Sequence, residues 1–406
     1  MEKQSSSFRE SRRDFINKAG LGISALTLSS GLTYGAKPSD KVHIGIVGGR
    51  FGATFQFHQH PDCVVEAVSD LIPQRREGLM KVYNCSKSYE SLEKLLHDPK
   101  IDAVFIATPA PDHVNHVIQS MKAGKHVLCA VPAALTIEDC YRLHEAVKSS
   151  GLTYMMAETS YFRQNTISVR KFYKEGQFGS IFSAAAEYNH PGLESLWFEN
   201  GKPTWRQGLP PLLYPTHCTS FLISVTGERL THVSGLGWGD DSELLKNNPY
   251  KNPFWNSTAF FKTSKGNPFR VEVNWKGALR GIERGEWRGD KMSFFSALKE
   301  GDAHTIVRAA GEVGKDSGGF QVRENVVETY HQPFWWQTDL LPEPLRHSSG
   351  HDGSHCFLTH EFIDSLIKNR RPAVDIHEAL AYTAPGIVGH ESALKGGEYM
   401  KIPDFD

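Results

Sequence analysis

The chain has 406 residues, and its 45 Lys and Arg almost balance 46 Asp and Glu, leaving a net charge of −1. That length predicts two or three domains with a large core, and the balance excludes a general electrostatic footprint for nucleic acid or an anionic membrane. An apolar content of 39% with 36 glycines excludes a disordered chain, a fibre and a multi-span membrane protein.

The N-terminus reads Ser11-Arg12-Arg13-Asp14-Phe15-Ile16, and a small-residue, apolar stretch follows from Ala19 to Leu32. Paired arginines before a short, weakly apolar region predict a twin-arginine export signal over residues 1–36 and a periplasmic destination. The stretch is too short and too polar to span a membrane as a stable helix. Six scattered cysteines (Cys63, Cys85, Cys129, Cys140, Cys218 and Cys356) lack Cys-x-x-Cys spacing and make no disulfide framework.

Residues 42–47 are a run of β-formers, a buried parallel strand that ends in the turn Gly48-Gly49-Arg50-Phe51-Gly52. Residues 63–69 predict a second strand ending at Asp70, with a helix starting near Pro73. Strands follow at 101–107, 125–130 and 152–157, and helices at 112–123, closed by Gly124, and 137–149. Strands alternating with helices mean an α/β fold with a doubly wound parallel sheet over residues 37–157.

The pattern changes after Glu158. Residues 181–190 and 257–279 alternate as in an antiparallel sheet, and 192–213 form a long loop rich in Trp, Gly and Pro. A second loop covers 339–356, and helices at about 359–368 and 377–395 close the chain. Residues 158–406 are therefore expected to form an α/β domain with an open, mainly antiparallel sheet. Trp197 and Trp205 in the first loop either stack on a sugar ring or pin the loop.

The glycine turn is expected to bring backbone close to a pyrophosphate, with a helix N-terminus facing the anion. It departs from G-x-G-x-x-G: aligned on Gly49 and Gly52, the first glycine position holds Val47. Asp70 lies 18 residues beyond Gly52. An acid at the end of that strand accepts the ribose hydroxyls and repels a 2′-phosphate, which favours NAD over NADP. The histidines His347, His351 and His355 recur every four residues, with His360 beyond. Gly350 and Gly353 argue against a helix there, so a polar loop without a metal is expected.

Ala107-Thr108-Pro109, His113, Ala123-Gly124-Lys125-His126-Val127 and Pro132 resemble the Gfo/Idh/MocA oxidoreductases. Most of that family carries Glu-Lys-Pro after the Ala-Gly-Lys-His-Val run, with a Lys that assists hydride transfer. This chain has Ala130-Val131-Pro132, and Val131 cannot donate a proton. The twin-arginine leader, the Val-Pro pair, Met155-Met156-x-Glu158-x-x-Tyr161 and Tyr214-Pro215-Thr216-His217 look like glycoside hydrolase family 109, which includes NAD-dependent α-N-acetylgalactosaminidases. Gly350-His351-Asp352-Gly353 is similar to that family's Gly-His-Gly-Gly segment; Ala130 and Asp352 depart from its usual Glu and Gly.

The resemblance implies a Rossmann domain that binds NAD beside a domain whose open sheet faces the nicotinamide. It implies that Gly48, Gly49, Arg50, Phe51, Gly52 and Asp70 hold the dinucleotide, with Thr108, Pro109, His113, Ala130, Val131, Glu158 and Tyr214 around the nicotinamide end. It assigns acid–base roles to His217, Tyr214 and Tyr161, and substrate contacts to Tyr188, His190, Arg206, Tyr214, Pro215, Thr216, His217 and His351. If Pro215 opens a helix, Tyr214 and His217 share one face. The implied partner is a small carbohydrate or glycoside, and the implied assembly a homo-oligomer. Transient oxidation of a ring hydroxyl acidifies the neighbouring C–H; a base near neutral pKa removes that proton, the leaving group is eliminated, water adds and the ketone is reduced again. A net sugar dehydrogenase and a non-catalytic sugar binder are the competing readings.

Overall fold

The protein is described by a computed structural model covering residues 41–406, apart from residue 280 and the side chains of residues 311–313, 322 and 323. The export signal expected at 1–36 lies outside the described residues.

Six strands form the first sheet: β1 (Val42–Val47), β2 (Cys63–Ser69), β3 (Ser88–Tyr89), β4 (Ala103–Ile106), β5 (His126–Cys129) and β6 (Tyr154–Met156). All their pairings are parallel, in the order β3-β2-β1-β4-β5-β6. Val42, Ile44, Ile46 and every residue of β4 are fully buried, as an unbroken apolar run requires when both faces are covered. Helices α1 (Pro73–Tyr83), α2 (Leu92–Leu96), α3 (His113–Lys122) and α4 (Ile137–Ser150) connect the strands. Pro73 opens α1, and the Thr136 side chain accepts the Asp139 N–H at the start of α4. Strand order reverses between β1 and β4, so the crevice beyond Val47 and Ile106 is where such a sheet takes a ligand.

No α-helix follows β1, contrary to the expectation of a helix N-terminus at the turn. Two 3₁₀ turns, Phe51–Thr54 and Phe57–Gln59, stand there instead. Phe55 and Phe57 are both buried, and residues two apart point to opposite sides of an α-helix, so one helix cannot bury both against the sheet. Phe55 packs on Phe105 at 4.6 Å and stacks on His355 at 4.5 Å between ring centroids.

The second sheet has nine strands in the order β16-β15-β14-β13-β7-β12-β11-β10-β17. In chain order these are β7 (Ile181–Asn189), β10 (Leu230–Trp238), β11 (Asn256–Thr263), β12 (Pro268–Asn274), β13 (Ile282–Gly289), β14 (Met292–Phe295), β15 (His304–Lys315), β16 (Gln321–Tyr330) and β17 (Met400–Lys401). Only β7 and β12 pair in parallel. Helices α5 (Gln164–Lys174), α6 (Thr216–Thr226), α7 (Ser354–Ile367) and α8 (Ile376–Leu394) complete this part, and α6 and α8 pack against the sheet. Phe182, Leu236, Trp238 and Phe260 are exposed.

The Trp-rich loop carries a small hairpin, β8 (Phe198–Glu199) with β9 (Lys202–Pro203). Trp197 is fully buried and stacks on Trp255 at 5.0 Å, so it pins the loop. Helix α7 begins at Ser354, earlier than the glycines suggest, because Gly353 takes the left-handed conformation (φ 82°) that turns the chain into the helix. All six cysteines are free and buried.

Candidate active site

A cleft of about 1290 Å³ opens at the switch point and extends to the second sheet. One end is the glycine turn. Gly48 has φ 106°, and a Cβ there would lie 2.3 Å from the Ala107 carbonyl oxygen, so only glycine fits. The Gly49 N–H donates to Asp70 Oδ2 at 2.6 Å and the Ile72 N–H to Oδ1 at 2.8 Å, fixing the carboxylate at the cleft wall. Arg50, Phe51, Thr108, Pro109, Ala130 and Val131 line the same walls. A turn that opens with two glycines beside an anchored acid at the next strand's end is the arrangement that a dinucleotide requires, and the residues present fit one.

Three expected cofactor contacts lie off the cleft: Gly52, His113 and Glu158. Gly52 is buried beneath the turn, where a Cβ would press on Ala107 and Ile46 at 3.3 Å, so it serves packing. His113 is buried with its ring nitrogens 2.8 Å from the Pro132 carbonyl oxygen and 2.9 Å from that of Thr108. It ties together the two loops that border the cleft, and burial pushes its pKa down.

The other end gathers Tyr188, His190, Arg206, Tyr214, His217 and His351. The His217 ring lies 4.8 Å from that of Tyr188, 5.3 Å from Tyr214 and 6.4 Å from His351. The Arg206 guanidinium sits 4.2 Å from the Trp205 ring and 5.4 Å from that of Tyr214. His217 Nδ1 donates to Glu158 Oε1 at 2.8 Å; that oxygen also accepts the Ser160 N–H at 2.8 Å. The Ser160 hydroxyl donates to Glu283 Oε2 at 2.6 Å, and Arg163 Nη1 lies 3.4 Å from the same oxygen.

Burial works against a charged His217, but Glu158 and Glu283 outweigh it and push its pKa up to about 10. Burial likewise opposes ionised Glu283, yet Arg163, His217 and His351 bring its pKa down to about 2. The two carboxylates thus bias the buried His217 ring towards its protonated form. With Nδ1 committed to Glu158, Nε2 is left to donate into the cleft that the residue lines. Burial lowers the His351 pKa and, with His351 beside it, takes that of His355 to about 4.

Other expectations need correction. Tyr214 and His217 do not share a helical face: Tyr214 follows the 3₁₀ turn Pro211–Leu213, and His217 is the second residue of α6. The loop bend at Pro215 brings the rings together instead. Pro215 and Thr216 are buried beneath the cleft wall. Tyr161 lies away from the cleft, under the Arg170 guanidinium at 4.1 Å and against Phe162. Glu158 is fully buried behind His217, and its Oε2 has no hydrogen-bond partner. Ser160, Arg163 and Glu283 were not anticipated. Glu283 sits in the charged run Ile282-Glu283-Arg284-Gly285-Glu286, which carries no sequence signal of a buried acid. Among the described residues no three His, Cys, Asp or Glu side chains are arranged to hold a metal, and no helix is long and apolar enough to cross a membrane.

Fold and cleft together define an NAD-dependent enzyme built on a Rossmann sheet. Residues 42–158 match the oxidoreductase family with an NAD-binding Rossmann fold, and residues 308–406 match the glycosyl hydrolase 109 C-terminal domain. The chain thus joins a Rossmann domain of the Gfo/Idh/MocA type to a C-terminal domain of the glycosyl hydrolase 109 type. A glycosyl hydrolase family 109 protein of Solibacter usitatus is 24% identical across 98% of this chain and 97% of its own length. A 2,7-anhydro-N-acetylneuraminate hydratase of Escherichia coli is 29% identical over 50% of this chain and 57% of its own. In structure, a levoglucosan dehydrogenase complexed with NADH and levoglucosan superposes with a TM-score of 0.72 at 19% identity, covering 90% of this chain and all of that one. Scyllo-inositol dehydrogenase from Lactobacillus casei gives 0.65 at 17% identity, covering 90% and 99%. Both share the fold.

Proposed function

We propose that the protein cleaves a glycosidic bond through transient oxidation of a ring hydroxyl, elimination, water addition and re-reduction. The observation that carries this reading is the buried Glu158–His217 pair facing Tyr214 at the far end of the cleft, in a chain whose Val131 offers no proton. Full-length similarity to glycosyl hydrolase family 109 proteins supports it.

Gly48, Gly49 and Asp70 would hold the dinucleotide, and Thr108, Pro109 and Val131 would border its reactive end. When bound, NAD supplies reversible uptake of a hydride from a sugar carbon. His217 would hydrogen-bond a substrate oxygen through Nε2, with Glu158 fixing the ring from behind. His217 and Arg206, each beside Tyr214, would stabilise negative charge that gathers on that oxygen. The Tyr214 hydroxyl would relay the proton lost by the ring hydroxyl on oxidation, and the proton taken from the neighbouring C–H, to water in the cleft, and return them on water addition and re-reduction. Tyr188, His190 and His351 shape the sugar subsite, and the orphaned His190 Nδ1 awaits a hydroxyl partner.

We also propose export through the leader at Arg12 and Arg13, for which a resident cofactor is suited, and a homo-oligomer built on the face exposing Leu236, Trp238 and Phe260. A panel of p-nitrophenyl glycosides in heavy water tests the chemistry. Aglycone release with solvent deuterium beside the oxidised carbon is the expected result. Accumulating NADH without aglycone identifies a net dehydrogenase, and cleavage without deuterium refutes the oxidative route.

A further inference from the structure

The glycine turn lacks the α-helix whose N-terminus ordinarily supplies positive charge to a dinucleotide's phosphates. Cationic side chains stand there instead. Arg50 belongs to the turn, and Arg75, in the first turn of α1, packs its stem on Gly49, where a glycine Cβ would lie 2.7 Å from the Arg75 Cβ. Both line the cleft, and Arg75 does so close to Asp70, the acid that marks the ribose end.

Neither guanidinium is free. Arg75 Nη2 lies 2.5 and 2.7 Å from the two carboxylate oxygens of Glu199, and Arg50 Nη2 bonds the same carboxylate. Glu199 comes from the β8–β9 hairpin, 124 residues beyond Arg75. The hairpin's base is fixed by the Trp197–Trp255 stack and by Thr204, whose hydroxyl donates to the Leu196 carbonyl at 2.6 Å. Of the other cations nearby, Arg76 donates to the Asp70 carbonyl oxygen at 2.9 Å, and Lys202 of β9 lines the same cleft.

A Rossmann site takes NADP when an arginine beyond the second strand is available to its 2′-phosphate. Here that arginine is present and occupied. We infer that Glu199 is a cofactor-selecting residue: by engaging Arg75 and Arg50 across the cleft it denies them to a further phosphate, so that NAD is held and NADP refused. Asp70 and Glu199 then act together, the first by repulsion at the ribose and the second by neutralising the cations beside it. The inference rests on the dinucleotide reading of the cleft.

The test is a competition on the purified protein. Wild type, Glu199→Gln, and Glu199→Gln combined with Arg75→Ala are incubated with an excess of NADH and NADPH together, gel-filtered and denatured, and the released dinucleotides are separated and counted. Glu199→Gln raises the bound NADPH-to-NADH ratio about tenfold or more, the scale of one charge-assisted hydrogen bond. Removing Arg75 as well returns the ratio towards wild type. An unchanged ratio, including one in which both dinucleotides are lost equally, overturns the selecting role and leaves Glu199 a structural strap. A raised ratio that survives Arg75→Ala overturns the assignment to Arg75. Wild type carrying no dinucleotide in any form overturns the cofactor reading, and this inference with it.

Discussion

Replacing Glu158 by Gln isolates the charge that holds His217 protonated. The amide keeps the shape of the carboxylate and still accepts from His217 Nδ1 and the Ser160 N–H. What disappears is the partner's negative charge, whose loss costs at most the worth of a charge-assisted hydrogen bond, about 1.5–3 kcal/mol. At about 1.36 kcal/mol per pKa unit, His217 falls by roughly one to two units from its wild-type value of about 10. Glu283 still faces it, as do Tyr188, Tyr214 and His351, so it does not return to an ordinary histidine. The sign follows from linkage. His217 is raised above its unfolded value of 6.5, so its stabilising contribution is complete below 6.5 and fades as pH climbs to about 10. In the variant that fading ends at a lower pH. The alkaline limb of the pH–rate profile and the alkaline decline in melting temperature both shift down by the same one to two units. NADH fluorescence titration shows whether the cofactor end is undisturbed. An alkaline limb that stays in place while bound cofactor is normal would refute the view that Glu158 sets the charge of His217.

Replacing His217 by Ala leaves the dinucleotide bound but lowers turnover by about 10²–10⁴-fold, the range of a general acid–base group; Tyr214→Phe, which removes only a hydroxyl, also slows turnover. Asp70→Ala weakens NADH binding by about 1.5–3 kcal/mol, read by fluorescence titration, because the carboxylate loses its ribose partners. Gly48→Ala forces a Cβ to 2.3 Å from the Ala107 carbonyl at a positive φ, so thermal unfolding shows a loss of about 1–3 kcal/mol together with reduced cofactor content. Changing Arg12 and Arg13 to Lys retains the protein in the cytoplasm on cell fractionation; unchanged export removes the twin-arginine reading.

The first sheet was legible because its information is local. Residues 42–47 and 63–69 are the observed β1 and β2 to the residue, since short runs rich in Val and Ile between turn residues leave one solution. The second sheet was less so. Its strands β13 to β16 carry charges on exposed or half-buried positions, and Ile282–Gly289 reads as polar although Trp287 is fully buried. A strand with one wet face shows only a short alternation, and pairing across long connections leaves no trace in a single sequence.

The site divides along the same line. Asp70, Tyr214 and His217 announce themselves by position within a motif, whereas the second carboxylate does not. Glu283 reaches the centre through Ser160, 123 residues away, and has meaning only once β13 lies beside β7. It adds to the field of Glu158, the stronger of the two acids at His217, in favouring the protonated ring. The aromatic segment after β1 shows the converse. Phe55 and Phe57 are plain in the sequence, yet their joint burial removes a helix that the glycine turn seemed to promise. Arg50 and Arg75 stand where a helix end would have been, but both are engaged by Glu199, so the hairpin that carries it becomes part of the cofactor's surroundings, not merely a lining for the sugar.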